Sequence, residues 1–129
     1  MRDLKALIVD DSSVMRKIVE RSLRAAGLSF SDVFEAGSGV EALEVLRGKS
    51  VDLIFSDINM PQMDGLEFLR QLKATNLAPG VPVVMITTES SGDHVMRAVE
   101  AGAKGYIRKP FTPDQVKERV LPLLEGMAG

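Results

Sequence analysis

Three short, unbroken apolar runs constrain this chain more than any other feature: Ala6-Leu7-Ile8-Val9, Leu53-Ile54-Phe55 and Val83-Val84-Met85-Ile86. They are rich in β-branched residues and lack the alternation of a half-exposed strand. Such runs suit strands buried on both faces of a parallel sheet. Val33-Phe34 and Gly105-Tyr106-Ile107 are weaker candidates of the same kind. Between the runs the spacing becomes helical. Met15, Val19, Ser22, Leu23 and Ala26 share one face, with Arg16, Lys17, Glu20, Arg21 and Arg24 largely outside it and Gly27 as the stop. Ala42, Leu43 and Leu46 repeat the pattern up to Gly48, and Phe68, Leu69 and Leu72 do so after Asp64-Gly65. Val95, Ala98 and Val99 form a fourth helical face before Gly102. Val116, Val120, Leu123 and Leu124 form a fifth, entered through Thr112-Pro113 as N-cap and first helical residue. Strand then helix, five times over, requires right-handed crossovers and a parallel α/β sheet covered on both faces.

Composition narrows the function classes. The 129 residues make one domain, 1–129, with no output domain visible. Ala74 to Pro82 reads as a connection within it. Lys plus Arg is 16 against 18 Asp plus Glu, so the net charge of −2 argues against nucleic acid as a partner. There is no cysteine, which removes disulfides, zinc–thiolate sites and thiol catalysis. The single histidine, His94, is expected on the surface of the fourth helix. The first apolar run ends at Asp10, too short for a signal peptide, and no stretch approaches the ~20 apolar residues of a membrane span. A cytoplasmic location without membrane insertion is the expectation.

In open parallel sheets, ligands bind beyond the carboxyl ends of the strands. Asp10 and Asp11 follow the first strand, and Asp57, Ile58 and Asn59 the third. Thr87, Thr88 and Glu89 follow the fourth, and Lys109 and Pro110 the fifth. Three carboxylates gathered there repel: two unit charges ~5 Å apart cost roughly 3 kcal/mol at an effective dielectric of ~20. A hard divalent cation offsets this, and carboxylates, a backbone carbonyl and water are the ligand set of Mg²⁺. With Lys109 as a second positive charge and Thr87 as a hydroxyl donor, the edge reads as one where a carboxylate accepts a phosphoryl group.

Each residue also has a plain structural role open to it. Asp11 or Ser12 is a good helix cap, Lys109 a solvated loop lysine, Thr87 a strand end and Tyr106 half-buried packing. Met60 and Met63, flanking Pro61, suit the space beneath a loop. The joint placement at four strand ends outweighs these separate readings.

The segments Leu7–Arg16, Ser56–Gly65, Met85–Glu89 and Ala101–Phe111 together resemble the receiver domain of bacterial two-component response regulators, in its single-domain, CheY-like form. The resemblance implies a flavodoxin-like, doubly wound five-stranded sheet in the order 2-1-3-4-5 with five helices. It implies that Asp57 is the phosphoacceptor. Asp11 would ligate Mg²⁺ directly, Asp10 largely through water, and Asn59 through its backbone carbonyl. Lys109 would pair with the phosphoryl group, Thr87 would hydrogen-bond it, and Tyr106 would rotate inward as Thr87 moves. Asn59 and Glu89 occupy positions that tune phosphoryl lifetime, and the Lys109–Pro110 peptide is typically cis in such families. Thr88 is bulkier than the Ala, Gly or Ser of many members, a departure that narrows access to the site.

The implied function is a signalling switch. A sensor histidine kinase of chemotaxis type would phosphorylate Asp57. The change would reach the face built from the fourth helix, fifth strand and fifth helix. The target would be a protein such as a flagellar motor switch component or a phosphorelay protein. The chain would catalyse only its own phosphoryl transfer and autodephosphorylation. Alternatives are a phosphorelay receiver, or one excised from a larger regulator. An aspartyl-phosphate phosphatase is less suited, because Asn59 stands where a second acid would be needed. A flavin carrier is less suited too, because Asp10 and Asp11 would repel a flavin phosphate.

Overall fold

The computed structural model describes residues 3–58, 63, 65–87, 92–108 and 111–125, with the backbone alone at 87, 92–95, 124 and 125. Strands and helices alternate: β1 (Leu4–Val9), α1 (Ser13–Ala25), β2 (Phe30–Ala36), α2 (Gly39–Gly48), β3 (Leu53–Ser56), α3 (Gly65–Thr75), β4 (Val83–Thr87), α4 (Gly92–Glu100), β5 (Gly105–Arg108) and α5 (Pro113–Glu125). Each apolar run is a strand, and so are the two weaker candidates. All pairings are parallel, in the order β2-β1-β3-β4-β5. The chain moves from β1 outward to β2, then back across β1 to β3. Its direction of winding therefore reverses between β1 and β3, which is where such sheets open a crevice.

The register there positions the site. Val9 of β1 lies opposite Ser56 of β3, so Asp10 and Asp57 leave the sheet as neighbours. Two hydrogen bonds continue the ladders beyond the strand ends. The Asp57 N–H donates to the Val9 carbonyl at 2.9 Å, and the Asp10 N–H to the Ala36 carbonyl at 3.0 Å.

The unbroken runs conceal a period of two. Leu7, Val9, Ile54, Val83 and Met85 face one core, shared with residues of α2, α3 and α4. Ala6, Ile8, Leu53, Phe55, Val84 and Ile86 face the other, shared with α1 and α5. Because both faces are buried, every position must be apolar. Phe68 anchors the first core and Phe55 the second, both fully buried.

Caps set several helix starts. The Ser12 hydroxyl accepts the Met15 N–H, and the Ser38 hydroxyl accepts the Glu41 N–H, each at 3.2 Å. At Thr112 the cap is reciprocal: its hydroxyl accepts the Gln115 N–H at 3.3 Å, and the Gln115 side chain accepts the Thr112 N–H at 2.9 Å. The expected entry through Thr112-Pro113 is thus present.

Two expectations need correction. Val99 is 60% exposed and does not share the buried face of α4, which Ala98 carries. Adjacent helical residues differ by about 100° around the axis, and on α4 this step carries Val99 off the buried stripe that Ala98 occupies. Arg16 does not lie outside the packed face either; its side chain is only 18% exposed. Its Nε donates to Glu35 of β2 at 2.9 Å, and a terminal nitrogen donates to the Asp10 carbonyl at 2.6 Å. Lys17 takes the other Glu35 oxygen at 2.8 Å. Arginine buries its apolar stem while its head finds acceptors, so counting it as polar misplaces it.

Two predictions follow from this packing. A Cβ at Gly65 would lie 2.3 Å from the Asp57 carbonyl oxygen and 2.8 Å from the Ile58 Cα, both backbone atoms. Gly65→Ala is therefore expected to lose about 1–3 kcal/mol in urea unfolding. Gly48→Ala, with open space at its Cβ, should lose nothing. At Glu35, the Lys17 hydrogen bond, seconded by Arg16, holds the carboxyl below the usual glutamate range against the opposing effect of burial. A lowered folded pKa stabilises above the unfolded value and loses that contribution as pH falls through the folded one. Glu35→Gln should thus cost up to about 1 kcal/mol at neutral pH. The difference from the parent should shrink as pH falls below ~4.3.

Candidate functional site

Asp10, Asp11 and Asp57 converge at the carboxyl ends of β1 and β3. Each offers a carboxylate oxygen within 4.8 Å of the others. Asp10 is buried, Asp57 half-buried and Asp11 exposed. The group thus grades from the crevice floor to solvent. Beneath it pack Val9, Phe55, Ser56 and Ile86, with no cavity among these described residues between them and the acids.

Each acid stands on pinned backbone. The Asp10 carboxylate accepts the Ser12 N–H at 2.9 Å, a tight turn that carries the chain from β1 into the Ser12 cap of α1. The Asp10 carbonyl is gripped by Arg16, itself braced on Glu35. The Asp57 carbonyl accepts the Ser56 hydroxyl at 2.9 Å. Gly65 donates its N–H to the Ile58 carbonyl at 2.7 Å, which draws the start of α3 against the exit of β3. The missing side chain at Gly65 permits that approach.

Three carboxylate oxygens within 4.8 Å repel by roughly 3 kcal/mol per ionised pair at an effective dielectric of ~20. The donors are all hard oxygens, and one face of the group is open to water. Both properties fit a small divalent cation such as Mg²⁺, which keeps several waters. The acidic cluster of the chain could hold such an ion through Asp10, Asp11 and Asp57.

The remaining candidates divide. The Thr87 backbone ends β4 opposite Arg108, at the same carboxyl edge as the three acids. Tyr106 lies opposite Met85 in β5, half-buried against the core under α2, α3 and α4. Asn59, Glu89 and Lys109 lie outside the described residues, as do Met60, Pro61, Thr88 and Pro110. His94 belongs to α4, but its side chain is likewise outside them. Met63 packs against the core and over Gly39 of α2.

The sequence reading missed Arg16, Glu35 and Gly65 as supports. Gly65 carried a signal, since it follows Asp64 at a helix start, but a turn explains that pair equally well. For Arg16 and Glu35 no local signal exists, because they meet only when β2 docks beside β1.

This geometry agrees with what the chain is similar to. Residues 6–121 match the family model described as the response regulator receiver domain. A chemotaxis protein CheY homolog of Campylobacter jejuni is 41% identical over 127 residues, covering 98% of this chain and 96% of that protein. The crystal structure of Vibrio cholerae chemotaxis protein CheY4 superimposes with a TM-score of 0.79 at 34% identity, covering 97% of this chain and 98% of that one. A CheY-like response regulator receiver domain protein of Methanospirillum hungatei superimposes with a TM-score of 0.82 at 29% identity, covering 98% of each. A family match across nearly the whole chain, on a fold whose acidic cluster sits at the switch of its sheet, places this protein in the response regulator receiver domain family, as a receiver of CheY type in two-component phosphorylation signalling.

Proposed function

We propose that Asp57 accepts a phosphoryl group from a sensor histidine kinase of chemotaxis type, in the cytoplasm, and that the product controls a protein target. The observation that carries this reading is the Asp57 carboxylate held within 4.8 Å of the Asp10 and Asp11 carboxylates. A bound Mg²⁺, held by Asp10, Asp11, Asp57 and the Asn59 carbonyl, would supply positive charge for the phosphoryl oxygens. An Asp57 oxygen attacks phosphorus, the bond to the donor histidine nitrogen breaks, and the donor takes up a proton. Lys109 balances charge on the phosphoryl oxygens, and the Thr87 hydroxyl donates to one of them. Water later cleaves the acyl phosphate, with Asn59 and Glu89 setting the rate. The chain turns over no other substrate.

The added group carries about −1.5 to −2 charges at neutral pH. Thr87 would be drawn toward it, and Tyr106 would turn into the space released. Tyr106 already lies half-buried in β5, between the core and the surface, where either orientation alters the face of α4, β5 and α5. Support for a chemotaxis target, such as a flagellar motor switch component, comes from the Campylobacter and Vibrio relatives, which are described as chemotaxis proteins.

Two measurements test the reading. Incubation with acetyl phosphate and Mg²⁺ should add one phosphoryl group to the intact mass. Chelator or Asp57→Asn should abolish it; an adduct of equal yield on Asp57→Asn would refute the assignment. The second measurement is metal-linked stability. Without metal, Asp11→Ala should be at least as stable as the parent, because it relieves repulsion at an exposed position. Mg²⁺ at a hundredfold excess over Kd should stabilise the parent by about 2.7 kcal/mol, seen as a raised thermal midpoint. The same Mg²⁺ should move Asp11→Ala far less.

A further inference from the structure

We infer that a basic groove with an apolar floor, at the opposite end of the sheet from the acidic cluster, docks an acidic segment of a partner protein. This goes beyond the phosphoryl switch and does not rest on it. Two adjoining hollows make the groove. The larger, about 630 Å³, lies among the end of α3, the turn into β4 and the 101–104 turn into β5. The smaller, about 430 Å³, lies between α3 and α4. Lys73 and Ala101 line both, so the two lie side by side. Val83 begins β4 and the 101–104 turn precedes β5, so the groove opens at the amino ends of the strands. Asp10 and Asp57 follow the carboxyl ends.

Its chemistry is two-part. Leu69, Leu72, Val81 and Leu123 supply apolar surface in the larger hollow. Arg70, Lys73, Arg97 and Lys104 line the two hollows and are all exposed; Arg70 is already paired with Glu67 along α3 at 3.3 Å, so Lys73, Arg97 and Lys104 carry most of the groove's charge. Among the described lining residues Glu100 is the one carboxylate, and the larger hollow has none. On a chain of net charge −2, this is a local reversal of sign. Gathering like charges around an apolar hollow contributes nothing to folding. A partner's carboxylates would offset that charge, while its apolar side chains cover the floor. The volumes suit side chains of a partner segment. No aromatic side chain lines it among the described residues, so it lacks the stacking platforms of a single-stranded nucleic-acid site. A partner held here leaves the acidic edge free for a phosphodonor.

The test uses the whole chain and a short fluorescein-labelled peptide with two leucines set among aspartates and glutamates. Anisotropy should report binding that weakens with salt. Amide shifts in nitrogen-15 spectra should cluster at residues 69–83 and 97–104. Lys73→Glu should weaken binding about tenfold or more. Lys117→Glu, an equal charge change on exposed α5 surface, should alter it less than about twofold. Several results would overturn the proposal: no binding at millimolar peptide, shifts centred elsewhere, or equal weakening by both variants. So would equal affinity for a peptide with serines in place of the leucines, which would mark a plain anion site. Tighter binding of a labelled single-stranded oligonucleotide than of the peptide would likewise overturn it.

Discussion

The parallel pairing of β1 with β3, in the register that sets Val9 opposite Ser56, is the constraint on which the rest of the site depends. It brings two carboxylates from distant parts of the chain to one point. Backbone hydrogen bonds then continue beyond the strands, to the Val9 and Ala36 carbonyls, so neither Asp57 nor Asp10 can drift from the edge. A slip of β3 by one residue against β1 would turn Asp57 to the face opposite Asp10 and exchange the core-facing sets of β3 along with it. The two-sided burial of β1, β3 and β4 makes such a slip costly. The precision of the site is therefore a consequence of hydrophobic packing far from it.

Repulsion among ionised forms of the three acids works against folding, while the backbone that carries them is held firmly from the neighbouring elements. Arg16 bridges the Asp10 carbonyl and Glu35, tying α1, β2 and the exit of β1 into one unit. Gly65 lets α3 begin directly against the exit of β3. These supports fix the backbone that carries the acids, and one carboxylate oxygen of each lies within 4.8 Å of the others, where a cation could be held.

Charge is also segregated along the sheet. Acids gather at the carboxyl ends of the strands, and Arg70, Lys73, Arg97 and Lys104 gather toward the amino ends. A strand of six residues spans about 20 Å, beyond the ~8 Å over which salt screens charges at physiological strength. The two ends therefore act as separate electrostatic surfaces, a division that the net charge of −2 conceals.

Much of this was legible in the sequence, and for a physical reason. Burial on both faces demands unbroken apolar runs, and helices at a sheet surface demand a 3.6-residue period. Strands, helices, caps such as Thr112 and the acids at the ends of β1 and β3 could thus be placed one element at a time. Tertiary structure decided what depends on two elements meeting. Val99 or Ala98 could each have carried the inner face of α4, and only the docked helix turned Ala98 inward. Arg16 read as a solvated side chain until β2 brought Glu35 beside it. Gly65 read only as the residue before the third helix, and the need for glycine there appeared when the exit of β3 filled the space where its Cβ would stand. The basic groove joins α3, α4 and two turns that no local pattern connects. A sequence records the burial each residue needs; which neighbours satisfy that need is settled only when the layers close.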